Sequence, residues 1–341
     1  MANRDVVAIG TSAGGVQALL HLVKHLPSTF PASILVTIHL PSHGRSALDD
    51  ILTRAGSLPA QFANDGDVLR KGRIYIAPQD RHLLLDGNQL SLGVGPRENN
   101  SRPAIDPMLR SAAVCCGART IGVVLTGTLG DGASGMWALD RCGGITVVQD
   151  PNDAAFAEMP LSVMNRAKPD HVVKLSAMPA LLERLAHEPA APPMPVPRSL
   201  KYEVEIARTG RTTMESMDHL GKRSVLACPD CGGVMWEIDE GDITRFRCHV
   251  GHAYTAEPMS LALDENLRRA LASAQRAMEE RVALARKLEK QAIDRDHRLL
   301  AETWSDKARE FDSELKIVRG AIQQMEQFAF QSEQSVQSVA E

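Results

Sequence analysis

Val6-Val7-Ala8-Ile9-Gly10-Thr11-Ser12-Ala13-Gly14-Gly15 is the stretch that decides the fold of this chain. The apolar run before Ser12 reads as a buried strand. From Gly14 to Leu26 apolar residues recur at helical spacing (Val16, Leu19, Leu20, Leu22, Val23, Leu26). A hydroxyl is thereby held on a Gly-rich turn between the carboxyl end of a strand and the amino end of a helix. Glycines permit so sharp a turn, and the free N–H groups of a helix start favour developing negative charge. This is the setting of a serine nucleophile. Two rival readings are a plain helix cap and a dinucleotide-binding loop. Against the second, the spacing is Gly-x-x-x-Gly-Gly, with Thr11-Ser12 where the backbone would approach a pyrophosphate. The next strand, Ser33-Ile34-Leu35-Val36-Thr37-Ile38, ends in His39, where a ribose would require an acidic residue. A histidine there suits a general base.

A third member should be a carboxylate at another strand end. Arg119-Thr120-Ile121-Gly122-Val123-Val124-Leu125-Thr126 reads as a strand running into Gly127-Thr128-Leu129-Gly130-Asp131-Gly132, and a helix follows from Ala133 to Arg141. Asp131 taken alone is as well explained as a helix cap. With Ser12 and His39 it is the group to orient the imidazole and stabilise the imidazolium. In an open parallel sheet the strands' carboxyl ends line one crevice, so residues far apart in sequence converge there. The order Ser…His…Asp differs from the common hydrolase orders, which excludes an α/β-hydrolase or subtilisin scaffold. Ala13 N–H, directly after the nucleophile, is a donor for an oxyanion.

From about Asp5 to Leu185 the chain resembles the catalytic domain of the CheB-type protein-glutamate methylesterases. The resemblance rests on Ala8–Gly15, Ile38-His39-Leu40-Pro41, Tyr75-Ile76-Ala77-Pro78, Arg102-Pro103-Ala104-Ile105-Asp106, Val124-Leu125-Thr126-Gly127 and Gln149-Asp150-Pro151, in that order. It implies Ser12 as nucleophile, His39 as base and Asp131 as acid, with a second oxyanion N–H at Thr128. It also implies the substrate, a glutamate γ-methyl ester on a receptor-like or other signalling protein, and glutamine deamidation by the same chemistry. Catalysis of this kind needs no cofactor. Two features depart from the family. Ala13 stands where Thr usually follows the nucleophile, and Thr128-Leu129 stand where the family carries a Met-Gly type loop. With Ser12 so near the amino terminus, the phosphorylatable receiver domain of chemotaxis enzymes is not expected in this chain. The alternative from another class is a non-catalytic signalling or binding module.

The 341 residues suggest more than one domain, and a formal net charge of −4 gives no electrostatic argument for nucleic acid. The first strand follows the amino terminus at once, leaving no room for a signal peptide, and no apolar run is long enough to span a bilayer. A cytoplasmic protein without membrane insertion is the expectation. Cys115, Cys116 and Cys142 then read as reduced core thiols. Strands and helices alternate, which implies an α/β fold: a doubly wound, mostly parallel sheet. His82–Leu85 and Gln89–Leu92 flank Asp86-Gly87-Asn88 as an inserted β-hairpin. A helix is expected from Pro107 to Gly117, capped by Asp106. His82, Arg102 and Asp106 read as fixtures of the loops around the site.

The expected organisation is a catalytic domain over residues 1–187, a Pro-rich linker over 188–200, a zinc-ribbon-like module over 201–256, a helical hairpin over 257–330 and a disordered tail over 331–341. Cys228-Pro229-Asp230-Cys231 and Cys248-His249-Val250-Gly251-His252 carry the ligand spacing of a structural zinc site. Cys228, Cys231, Cys248 and His252 are the expected ligands, with His249 the rival to His252. Val234–Ile238 and Thr244–Arg247 read as short strands around Asp239-Glu240-Gly241-Asp242. Farther on, Trp304, Ala308, Phe311, Leu315, Val318, Ile322 and Met325 step by four and three in turn, and Leu263, Leu267, Leu271, Ala274, Met278 and Val282 form an earlier stripe. The two stripes are expected to face each other across a turn at Ile293–His297. The other reading is docking of a helical partner or self-association.

Overall fold

The computed structural model describes residues 3–39, 46–239 and 244–339. Leu40-Pro41 of the histidine motif and Glu240-Gly241-Asp242 of the expected turn lie outside the described residues. In chain order the first part runs β1 (Val6–Thr11), α1 (Gly15–His25), β2 (Ser33–Ile38), α2 (Leu48–Ala55), β3 (Ala60–Phe62), β4 (Ile74–Ile76), β5 (His82–Asp86), β6 (Gln89–Gly93), α3 (Ile105–Cys115), β7 (Thr120–Val124), α4 (Ala133–Arg141), β8 (Ile145–Gln149), α5 (Glu158–Arg166), β9 (His171–Val173) and α6 (Met178–His187). Seven of these strands form one sheet in the order β3-β4-β2-β1-β7-β8-β9, and every pairing in it is parallel. β5 and β6 make a separate antiparallel hairpin.

Both faces of the sheet are covered, so β1, β2 and β7 read as continuous apolar runs and are buried throughout. On one face Leu19 and Leu22 of α1, Leu52 of α2 and Leu182 of α6 pack against Val7, Ile9, Val36 and Val123. On the other, Met108 and Leu109 of α3, Met136 of α4 and Val163 of α5 join Leu83 and Leu85 of the hairpin. The order in which strands are added reverses about β1, which has β2 on one side and β7 on the other. The crevice past the carboxyl ends of these three strands is the topological switch point, where doubly wound sheets place their ligands.

The second part departs from the expected linker and module. Residues 198–200 of the expected linker are not extended but open a helix, α7 (Arg198–Thr209), which runs on into the expected module. After α8 (Met214–Leu220) come β10 (Lys222–Ala227), β11 (Val234–Asp239), β12 (Thr244–Cys248) and β13 (Ala253–Thr255), a four-stranded antiparallel sheet in sequence order. Residues 1–260 form one compact unit, so the sheet that carries the cysteines is part of the same body as the parallel sheet. The physical reason is a buried ionic cluster. Glu98, Arg110, Glu203, Arg245 and Arg247 are each no more than 2% exposed. Arg247 pairs with Glu98 at 2.9 Å, Arg110 Nε lies 3.2 Å from Glu203, and Arg110–Glu98 and Arg245–Glu203 are closer still. Buried charge is tolerated only when paired, so α3, α7, β12 and the segment before α3 must assemble together.

Glu203→Ala would remove a buried carboxylate that Arg110, Arg245 and Arg247 share, and we expect a loss of about 3–5 kcal/mol of stability, measured by chemical denaturation. Burial alone would push the Glu98 and Glu203 carboxyls up, but the arginines more than offset it and hold both below the ordinary 4.5. Their folded values lie below their unfolded ones. The stability they contribute is therefore present above about pH 4.5 and is lost as pH falls through the folded values.

Residues 261–341 form a second unit, made of α9 (Ala256–Asp294) beyond Ser260 and α10 (Arg298–Val339). The turn falls at residues 295–297, and the second helix continues to Val339, past residue 330 where the hairpin was expected to end and through the stretch expected to be a tail. Val282, Ala285, Ala308 and Leu315 are buried between the helices, and Arg281–Glu314 (3.1 Å) and Arg319–Glu279 (2.7 Å) tie their margins. The apolar stripe thus meets its counterpart within the chain. Leu267 of the earlier stripe is nonetheless 49% exposed.

Candidate active site and metal cluster

Ser12 follows β1 directly. Its own N–H donates to Thr126 O (3.1 Å) at the end of the adjacent β7, and Gly15 N–H donates to Ser12 O (2.9 Å) to close the turn. The backbone freedom this turn needs is at Gly14, which has φ 75° and is the N-cap of α1. Gly15 is required for another reason: a Cβ there would lie 2.5 Å from Thr11 Oγ1.

The structure brings Ser12, His39 and Asp131 into one hydrogen-bonded line. Ser12 Oγ lies 3.1 Å from His39 Nδ1, and His39 Nε2 lies 2.8 Å from Asp131 Oδ2. The tautomer this favours has Nε2–H donating to the buried carboxylate, leaving Nδ1 to accept the serine proton. The ring is thus used in the opposite sense to the chymotrypsin arrangement, in which Nε2 faces the serine. Asp131 does not cap the helix that follows it. Its Oδ2 accepts Ile105 N–H (2.7 Å) and its Oδ1 accepts Asp106 N–H (3.1 Å), both from the first turn of α3. Asp106 reciprocates: its Oδ1 accepts Gly132 N–H (3.0 Å) and Gly135 N–H (2.7 Å) at the start of α4. Each carboxylate caps the other's helix, where N–H groups and the helix dipole favour negative charge. The sequence reading expected Asp106 to cap a helix starting at Pro107; instead α3 starts at Ile105, with Ala104 at its N-cap and Asp106 in its first turn.

Burial alone would push the Asp131 carboxyl up. The hydrogen bond and charge of His39, with the two α3 N–H groups, more than offset this and hold it below its ordinary 3.8. Asp106 goes the other way, raised by burial and by the Asp131 charge. Asn99 Nδ2 donates to both carboxylates, 3.1 Å from Asp106 Oδ2 and 3.2 Å from Asp131 Oδ1. Sequence reasoning missed this residue, and the Asn99-Asn100 pair was the only local signal for it.

Gly127 begins the loop that ends in Asp131. A Cβ there would lie 2.9 Å from Ser12 Cβ and would also strike Met159 Sδ. Met159 has a flexible tip, but Ser12 has none, so Gly127→Ala should displace the hydroxyl from His39. A misplacement approaching 1 Å costs about 10²-fold in rate. A fall of that order in kcat is the expected result, with the protein still folded and its thermal stability lowered by no more than the overpacking of Met159 costs, about 1–3 kcal/mol. Leu129 in the same loop holds φ 66°, an uncommon conformation for leucine, and its N–H donates to Glu158 Oε2 (2.9 Å). Among the described residues Ala13 N–H and Thr128 N–H have no acceptor.

An open cleft beside His39 is lined by Asp80, Arg97, Asn100, Ser101, Arg102 and Pro103. Arg102 Nη2 is 2.7 Å from Asp80 and its Nη1 donates to Gly95 O (2.9 Å), so it braces the rim. His82 is wholly buried, 2.9 Å from Pro96 O through Nε2, and accepts Ala104 N–H at Nδ1. Burial lowers its pKa, so it is a neutral fixture of the hairpin.

Cys228, Cys231, Cys248 and His252 converge at one end of the four-stranded sheet, with their ligand atoms all within 4.8 Å of one another. His252 Nδ1 faces the sulfurs of Cys248 (3.4 Å) and Cys228 (3.7 Å), and its Nε2 faces Asp230 (3.9 Å). Tyr254 Oη donates to the same carboxylate (2.5 Å). Three sulfurs, an imidazole and a carboxylate behind the imidazole are the donor chemistry of a metal site with its supporting shell. His249 lies outside this cluster, its ring over Gly233.

A hydrogen-bonded alcohol, imidazole and carboxylate at the switch point of a doubly wound sheet define an α/β scaffold built around a serine. The chain belongs to the CheB methylesterase family, whose sequence model matches residues 7–182. A protein of Leptospira interrogans (serovar copenhageni) is 33% identical over 184 residues, which are 54% of this chain and 95% of that protein. The protein-glutamate methylesterase/protein-glutamine glutaminases of Escherichia coli K12 and Pyrococcus abyssi are 34% and 35% identical over 52% and 53% of this chain, and the chain spans about half the length of each (51% and 50%). The crystal structure of the Thermotoga maritima CheB methylesterase catalytic domain superposes over its whole length and 54% of this chain, with TM-score 0.52 and 32% identity. Among the described residues no helix is long and apolar enough to cross a membrane.

Proposed function

We propose that this chain is a serine hydrolase that cleaves glutamate γ-methyl esters on a protein substrate to glutamate and methanol. The observation that carries the reading is the unbroken Ser12–His39–Asp131 hydrogen-bond line at the end of β1, β2 and β7. Ser12 Oγ attacks the ester carbonyl carbon and passes its proton to His39 Nδ1. Asp131 keeps the ring in the tautomer that makes Nδ1 the base, and stabilises the imidazolium. The N–H groups of Ala13 and Thr128 receive the negative oxygen of the tetrahedral intermediate. Collapse breaks the bond to the methoxy oxygen, which takes the proton from Nδ1 and leaves as methanol. Water then attacks the acyl-enzyme, gives one proton to Nδ1, and releases glutamate and the serine hydroxyl.

The substrate class is carried by the relatives' names and by the family. Those names join a methylesterase to a glutaminase, which favours a second activity by the same steps with ammonia as leaving group. The methylated partner is read as a receptor-like signalling protein. The Cys228, Cys231, Cys248 and His252 cluster fits a structural zinc ion, tetrahedral and closed to substrate. Its role is to tie the hairpin ends of a small sheet together, and no catalytic step uses it.

A fluorophosphonate probe tests the nucleophile without knowledge of the substrate. Stoichiometric labelling of Ser12, located by peptide mass spectrometry, is the expected result. A folded protein that takes up no probe at Ser12 would count against the hydrolase and favour the binding-module alternative.

A further inference from the structure

Asn99 is 5% exposed and occupies the left-handed region at φ 48°, followed by Asn100 at φ 62°. Two consecutive non-glycine residues in that region are costly, and such a pair persists only where the surroundings hold it. Here the holder is β13, the last strand of the cysteine-bearing sheet. Asn99 N–H donates to Ala253 O (2.8 Å), Ala253 N–H donates to Arg97 O (3.3 Å), and Thr255 N–H donates to the Asn99 side-chain Oδ1 (3.0 Å). With Oδ1 engaged, the amide can present only Nδ2 to the carboxylates, and it bridges Asp106 and Asp131 as described. Thr255 also abuts the loop that carries the acid, its Oγ1 lying 3.3 Å from where a Cβ of Gly130 would be.

Resting on the hydrolase reading above, we propose that Asn99 is a positioning residue for Asp131, and that β13 sets its orientation, so that the cysteine-bearing sheet is a working part of the hydrolytic site. Two buried carboxylates this close repel each other, and a shared N–H donor lets both stay in place as acceptors. Among the described residues every other donor to Asp131 comes from His39 or the first turn of α3. Asn99 alone among them connects it to the second sheet by a side chain. Removing the amide leaves Asp131 Oδ1 held by Asp106 N–H alone among the described donors, which loosens the carboxylate's hold on His39 in the transition state without removing a side chain that lines the cleft.

The test compares kcat and KM for ester hydrolysis in the full chain. Asn99→Gly suits the left-handed backbone, so the fold is kept while the amide is lost. It should lower kcat about 10- to 100-fold with KM within about twofold, because one hydrogen bond to a charged group is removed from the transition state. Asn99→Asp keeps the acceptor for Thr255 N–H but adds a third carboxylate, and should lower kcat further. Thr255→Pro removes both groups that orient the amide, the N–H at 3.0 Å from Asn99 Oδ1 and the hydroxyl at 3.5 Å, and a smaller kcat loss, about three- to tenfold, is expected. Folded Asn99→Gly and Thr255→Pro proteins with wild-type kcat, or with a change in KM alone, would overturn the proposal. Should Asn99→Gly not fold, Thr255→Pro decides by the same criterion. Wild-type protein and Ser12→Ala run alongside: no hydrolysis by wild type points to failure of the hydrolase reading, whereas an active wild type with indifferent Asn99 and Thr255 variants points to failure of this inference alone.

Discussion

Ser12→Ala should lower ester hydrolysis by roughly 10^4-fold or more while leaving the fold intact. The size follows from the mechanism: without Oγ there is no acyl-enzyme, and what remains is the contribution of the oxyanion donors and of substrate binding. The intact fold follows from the structure. Among the described residues the hydroxyl makes one hydrogen bond, to His39. The turn is held by backbone groups, Ser12 N–H to Thr126 O and Gly15 N–H to Ser12 O, which alanine keeps. The variant should therefore melt within a few degrees of wild type and lose fluorophosphonate labelling entirely. A variant that retains more than about a tenth of wild-type activity would reject the nucleophile.

Cys248→Ser should have the next largest effect, and on two readouts. Cys248 Sγ sits between Cys231 (3.7 Å) and His252 (3.4 Å), so losing it removes the group nearest two other ligands. Metal analysis should fall from about one zinc per chain to near none. Structural zinc sites bind with apparent free energies of about 10–16 kcal/mol, much of which is folding free energy. The small four-stranded sheet should therefore loosen, seen as a lower melting temperature. Because β12 carries Arg245 and Arg247 into the buried ionic cluster, and β13 carries Thr255 to Asn99, the damage should reach the parallel sheet and reduce hydrolysis as well. Wild-type protein purified without any metal, yet with its full melting temperature, would reject the structural site.

The parallel sheet was legible because its central strands are buried on both faces. Val6–Thr11 and Ser33–Ile38 announce themselves as unbroken apolar runs, and the Gly-rich turn after the first marks where the chain reverses. Ser12 and His39 were legible for the same reason, since each stands one residue past such a run. Asp131 was harder, because an aspartate before a helix reads as its cap. The structure shows it capping α3 across the crevice, a tertiary fact with no local signature. The second part was read less well for a related reason. Residues 198–200 follow prolines and suggest the end of a linker, yet they open the helix α7, whose Glu203 is held by three arginines from elsewhere. Arg245 and Arg247 alternate with Phe246, a pattern that normally turns the aromatic inward. Here the arginines are the buried residues, because buried carboxylates await them. Local hydrophobicity cannot report such long-range charge pairing. β13, three residues long and directly followed by a helix, was too short to be distinguished, and with it went the support of Asn99.

The central claim is that Ser12 opens a glutamate methyl ester at its carbonyl carbon. The most direct measurement is hydrolysis of a γ-methylated receptor protein in water enriched in oxygen-18, with mass analysis of both products. Attack at the carbonyl by way of an acyl-serine predicts methanol carrying ordinary oxygen and a glutamate carboxylate that has gained one heavy oxygen, with neither product formed by Ser12→Ala. Heavy oxygen in the methanol, or equal turnover by the two proteins, would contradict the account.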